Sequence, residues 1–127
     1  MMKSKSKPTA AELEILNVLW NKSSATVREV HEVLHAKKDV GYTTTLKIMQ
    51  NMTAKGYLRR EQNGKSHIYF PSLKKEEVQE NLLDKFLESA FGGSASKLVM
   101  HLLDNKSTSK KELEEIKALI NKYEEGE

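Results

Sequence analysis

The 127-residue chain contains no cysteine, which excludes a disulfide framework, thiolate metal sites and cysteine nucleophiles while leaving the redox compartment undecided. Long apolar runs are also missing. The start MMKSKSKPTAAE lacks the apolar stretch of a signal peptide, and no segment approaches the roughly 20 residues of a membrane span. On that reading the protein is cytoplasmic and has no membrane partner. A Gly-rich phosphate loop, a nucleophile elbow and a carboxylate constellation are absent too, so no cofactor and no catalytic residue are expected. The length suits one domain, or a small domain with an accessory dimerisation element, and leaves little room for a large enzyme cleft.

The charge that is present is unevenly placed. Residues 1–71 hold 12 Lys/Arg against 6 Asp/Glu, net +6, whereas residues 72–127 hold 9 against 12, net −3. A basic half joined to an acidic half suits a chain in which one part meets a polyanion and the other does not.

Capping signals organise the first half. Thr9 with Glu12 has capping-box spacing and opens a helix over about 10–21, with Leu13, Ile15, Leu16, Leu19 and Trp20 as its apolar stripe. Thr26 with Glu29 opens a second, with Val27, Val30, Val33 and Leu34. A third runs from about Tyr42 to Lys55, turning Thr45, Ile48, Met49 and Met52 inward, and Gly56 stops it. Leu58–Gln62 and Lys65–Phe70 then flank Asn63-Gly64, a strong hairpin signal, and Pro71 closes the second strand. Beyond Ser72, helices with acidic faces are expected over about 75–91, 94–104 and after the capping box Ser109/Glu112. There is no internal repeat, and no low-complexity tract beyond the Lys/Ser-rich first seven residues.

The fold class is therefore mostly α with a small β-hairpin wing: a winged helix-turn-helix over 1–72 and a helical dimerisation domain over 73–127. In a helix-turn-helix the second helix enters the major groove. Its outward residues here are Thr43, Thr44, Lys47, Gln50 and Asn51, with Leu46 beside them. Thr hydroxyls, Gln and Asn amides, and apolar contacts to the thymine methyl group can read bases. Arg59, Arg60, Lys65 and His67 gather around the hairpin tip, where they could meet phosphates. One motif competes: His31-Glu-Val-Leu-His35 matches the zinc-hydrolase pattern H-E-x-x-H. The metzincin extension fails, because Lys38 and Gly41 stand where Gly and His are needed, and Glu61 belongs to the wing. No metal site is assigned, and the two histidines are read as polar flanks of the second helix.

The order and spacing of Thr9–Leu16, Thr26–Val30, Tyr42–Leu46, Lys55–Arg60 and Phe91-Gly-Gly93 resemble the penicillinase-repressor (BlaI/MecI) family over almost the full length. The resemblance implies a homodimeric repressor of promoters, recognition positions at Thr43, Thr44, Leu46, Lys47 and Gln50, and a C-terminal dimerisation domain. It also implies a regulatory protease as partner. Antibiotic-responsive members are cut at an Asn-Phe bond, and the matching positions here are His101-Leu102, a departure that bears on recognition by such a protease. The family's copper-responsive branch uses a cysteine site, which this chain lacks.

Three short C-terminal helices bury little alone. Two copies packing Leu82, Phe86, Leu98, Val99, Leu102 and Ile116 together would bury more, and twofold symmetry would match a palindromic operator. Two alternatives stay open: a winged helix used as a protein-interaction module without DNA binding, and the zinc hydrolase.

Overall fold

The computed structural model describes residues 7–104 and 108–126, so most of the Lys/Ser-rich start lies outside it. Three helices come first: α1 (Ala10–Lys22), α2 (Val27–His35) and α3 (Tyr42–Ala54). The hairpin β1 (Leu58–Asn63) and β2 (Ser66–Pro71) follows, then α4 (Lys75–Phe91), α5 (Ala95–Asp104) and α6 (Lys110–Glu125). This order makes the chain mostly α with a winged helix-turn-helix at its N-terminal end. No described helix is long and apolar enough to cross a membrane.

All three capping boxes form. At α1 the Thr9 N–H donates to Glu12 Oε1 at 3.0 Å and the Glu12 N–H donates to Thr9 Oγ1 at 3.1 Å. The same reciprocal pairs join Thr26 to Glu29 and Ser109 to Glu112. Each box satisfies two backbone donors that the helix start would otherwise leave without partners.

The core of the first unit is built from Ile15, Leu16 and Leu19 of α1, Val30 of α2, and Met49 and Met52 of α3, all fully buried, with Tyr69 of β2. Each such aliphatic side chain contributes on the order of 1.5–3 kcal/mol by leaving water. The α1 stripe differs from the expected one. Val18 is buried, whereas Leu13 and Trp20 are half-buried. Trp20 sits at the edge because its indole N–H donates to the Leu73 carbonyl at 3.0 Å, a polar tip that a fully apolar site would leave unpaired.

Glu12 is more than a cap. It is buried, and its second oxygen takes the Lys55 ammonium at 2.6 Å. Burial pushes its pKa up, but the hydrogen bonds from Lys55 and Thr9, with the Lys55 charge, outweigh that and hold it below the usual carboxylate range. The same contact raises Lys55. Because Lys55 caps the end of α3, this pair fastens the end of α3 to the start of α1.

The hairpin is antiparallel, pairing Leu58 with Pro71 and Asn63 with Ser66. Its turn is therefore centred on Gly64-Lys65, one residue later than Asn63-Gly64. Gly64 has φ +66° and Lys65 is not in the positive-φ region. Positive φ at the first central residue alone is the requirement of a II′ turn, which glycine meets. Ala25 and Tyr69 exchange backbone hydrogen bonds of 3.1 and 2.8 Å, and this isolated bridge joins the hairpin to the loop before α2.

The chain divides into two compact units, residues 1–82 and 83–127, whereas the sequence put the boundary after 72. The first turns of α4 belong with the first unit: Leu73 packs against its core and Val78 is buried. In the second unit no described residue of α5 or α6 is buried.

Candidate nucleic-acid interface

Helix α3 buries Thr45, Met49 and Met52, so the opposite face is forced outward. Thr43, Thr44, Lys47, Gln50 and Asn51 are all exposed, as the spacing predicts. Leu46 departs from that set: it is half-buried and packs against the core. Only its outer edge is left for a thymine methyl.

A groove runs beside α3 and is floored by the sheet. It is lined by Tyr42, Leu46 and Gln50 of α3, by Thr26, Val27 and Arg28 at the start of α2, and by Arg60, Lys65, Ser66, His67 and Tyr69 of the wing. Tyr42, Leu46 and Gln50 recur every four residues, which puts them on one side of the helix. Leu46 and Gln50 thus join three of the four wing candidates, Arg60, Lys65 and His67, in one concavity. Thr43, Thr44, Lys47 and Asn51 project from α3 outside it.

Arg59 does not join them. Directly opposite residues in an antiparallel pair share a face and neighbours along a strand alternate. The register therefore places Arg60 with Tyr69 on the face that holds buried Leu58, and Arg59 with Phe70 on the other. Arg59 forms an ion pair with Glu61, and its guanidinium lies 4.2 Å from the Phe70 ring centroid. The four-residue basic cluster expected around the tip is split between two faces, and Arg59 is already compensated. Arg28, Lys47, Arg60 and Lys65 make no ion pair among the described residues.

Sequence reasoning missed Arg28 and Tyr42. Arg28 is the second residue of α2, the helix that crosses the DNA backbone in a helix-turn-helix, and that role is the signal that points to it. Tyr42 was available from its four-residue spacing to Leu46.

The two histidines of His31-Glu-Val-Leu-His35 lie near the start of α3. His31 Nδ1 is 3.5 Å from Thr45 Oγ1 and His35 Nδ1 is 3.3 Å from the Val40 carbonyl oxygen. Of the candidate dimerisation residues, Phe86, Val99 and Leu102 are exposed, and Leu82, Leu98 and Ile116 are half-buried. Leu83, Met100, Leu103, Leu119, Ile120 and Tyr123 are exposed as well. His101 and Leu102, the dipeptide singled out in the sequence, are exposed on α5, and the His101 ring meets the Phe91 ring edge-on at 5.3 Å.

A family model described as penicillinase repressor matches residues 8–122. The methicillin resistance regulatory protein MecI of Staphylococcus aureus is 23% identical over 114 residues, which make up 90% of this chain and 93% of that protein. The transcriptional regulator BlaI of Mycobacterium tuberculosis is 27% identical over 95 residues, 73% of this chain and 69% of that protein. Among solved structures, the monomeric form of Bacillus licheniformis BlaI in complex with the blaP half-operator is similar at a TM-score of 0.52 and 26% identity, covering 60% of this chain and 93% of that one.

Proposed function

Because the chain belongs to the penicillinase repressor family, we propose that it is a sequence-specific DNA-binding repressor that occludes a promoter as a homodimer on a palindromic operator, in the cytoplasm and without a catalytic step. The observation that carries this reading is the groove, where uncompensated Arg28, Arg60 and Lys65 converge with Gln50 and Leu46 of α3. Cations without protein partners are free to displace counterions from phosphates, which supplies affinity without reading sequence. The exposed amides and hydroxyls of Thr43, Thr44, Gln50 and Asn51 supply base-edge contacts, and Lys47 serves either a base or a phosphate.

The homodimer rests on the second unit. From Leu83 onward no described residue is buried, while Phe86, Val99, Leu102 and Leu103 are exposed; such helices lack a sufficient core in one copy, and a second copy supplies the missing apolar partner. The BlaI complex holds a half-operator on a monomeric form, and carried to this chain that means one head per half-site. Half-sites then lie one helical turn or a multiple apart, roughly 34–36 Å per turn. Relief of repression by a protease acting at His101-Leu102 is the family's mode applied to an exposed helix; cleavage there would separate α6 from the rest of the chain.

The experiment is a binding titration of the full-length chain on duplex DNA carrying inverted repeats from the region upstream of its own operon, set against random duplex. Steeply salt-dependent binding that prefers the repeat is the expected result. Equal affinity for both, or none for either, refutes the repressor reading and favours a winged helix that binds protein.

A further inference from the structure

His31 and His35, set aside as a hydrolytic centre, have no part in the groove. They stand one turn apart on α2, and their rings stack with centroids 5.3 Å apart and planes 29° apart. Side chains four residues apart on a helix share a face.

What distinguishes the pair is where each ring holds its proton. His35 Nδ1 lies 3.3 Å from the Val40 carbonyl oxygen. A carbonyl only accepts, so Nδ1 carries the hydrogen and Nε2 of the neutral ring keeps its lone pair. His31 Nδ1 lies 3.5 Å from Thr45 Oγ1, and that hydroxyl has its own acceptor, the Gly41 carbonyl oxygen at 3.4 Å. With its hydrogen directed at Gly41, the Thr45 oxygen accepts from His31 Nδ1, and Nε2 of His31 is likewise left unprotonated. The Tyr42 ring meets His31 edge-on at 5.5 Å and further fixes its orientation. Two imidazoles, each with Nδ1–H held by an outer oxygen and Nε2 turned loose, reproduce the arrangement that orients metal-ligating histidines.

We propose that Nε2 of His31 and Nε2 of His35 form a two-histidine chelate for a late divalent transition ion, Zn²⁺ or Cu²⁺. Imidazole suits both ions, and the general affinity order places Cu²⁺ above Zn²⁺. Among the described residues no group of three or more His, Asp or Glu could hold an ion, so water completes the coordination. With water in its remaining positions the site is open, unlike the closed four-ligand sites of structural zinc. Both outer oxygens belong to the segment Val40–Thr45 that enters α3. An ion that keeps both rings neutral therefore keeps both links from α2 to the start of α3. The inference does not depend on the DNA reading.

The test uses the full-length chain without an affinity tag, titrated with Zn²⁺ or Cu²⁺ by calorimetry, and with Zn²⁺ while the imidazole nitrogens are followed by NMR. One ion per chain is expected, with Nε2 of His31 and His35 shifting together and those of His67 and His101 unmoved. His35→Ala, at an exposed position, should weaken binding about ten-fold or more, and Thr45→Val, which removes the outer oxygen at similar volume, should also weaken it by about ten-fold. Undiminished affinity in His35→Ala, shifts centred on His67 or His101, or no binding of either ion would overturn the proposal.

Discussion

Arg59→Ala and Arg60→Ala remove the same guanidinium from adjacent positions of β1, yet the two losses should read differently in salt. Each phosphate neutralised contributes about −0.9 to the slope of log affinity against log salt, so a fourfold rise in salt weakens binding about 3.5-fold per contact. Arg28, Lys47, Arg60 and Lys65 are the cations without an ion pair on α2, α3 and the wing. If all four meet phosphates, the slope per head is about −3.6, and binding falls about 150-fold over that rise. Removing Arg60 should bring the slope to about −2.7 and the fall to about 40-fold. Arg59 is balanced by Glu61 and covered by Phe70 on the other face, so its removal should leave the slope within a few tenths of the parent value. Fluorescence anisotropy of a labelled duplex at four or five salt concentrations measures both slopes. Equal reductions in the two variants would refute the assignment of faces, and no reduction in either would remove Arg60 from the phosphate-binding surface.

Other consequences are open to measurement. Gln50→Ala should relax preference at particular base pairs, costing about 1–3 kcal/mol at a good contact; equal losses on operator and random duplex would count against base reading. Glu12→Gln should lower stability near neutral pH by about 1 kcal/mol, a figure discounted because Lys55 is partly solvated. Since the folded-state pKa of Glu12 is depressed, its stabilisation is complete above the unfolded value of about 4.3 and is lost as pH falls through the lower folded value. Urea melts of parent and variant should therefore converge in acid; a gap that stays constant down to that range would assign the loss to packing. Phe86→Asp or Leu102→Asp should yield monomers in analytical ultracentrifugation, because a carboxylate in an apolar interface is costly. A chain truncated after Leu82 should keep a folded head but lose most operator affinity, since linked heads raise each other's effective concentration; undiminished binding would take that role from the second unit.

The elements were legible where local chemistry decides them. Thr9/Glu12, Thr26/Glu29 and Ser109/Glu112 announce their helices, and each box is closed in the structure. The exposed face of α3 followed from the spacing of Thr45, Met49 and Met52. Less was legible where long-range partners decide. Nothing near Glu12 in sequence indicates Lys55, 43 residues away. Asn63-Gly64 marked a hairpin correctly but put its centre one residue early. That shift moves every cross-strand partner by two, which preserves the faces but sets Arg59 opposite Phe70 rather than Ile68. The alternation of Arg59 and Arg60 was available from the period of a strand, and proximity to the tip was the wrong criterion. The division after residue 82 rather than 72 goes with long-range contacts that composition does not reveal: Trp20 holds Leu73, just before α4, and Val78 is buried.

The Ala25–Tyr69 bridge gives the wing the mechanics of a cantilever clamped at one rung. Lys65 lies four residues along the chain from Tyr69, roughly 13 Å in extended backbone. A rotation of a few degrees at the clamp then carries the ammonium by the better part of an ångström, enough to stretch a direct phosphate contact of about 2.9 Å past hydrogen-bond range. How firmly this protein grips DNA of differing groove width is thus set partly by the bending stiffness of a two-stranded ribbon. Substitutions at Glu61 or Ile68, a cross-strand pair on the face opposite Arg60 and Tyr69, should still alter affinity through that stiffness.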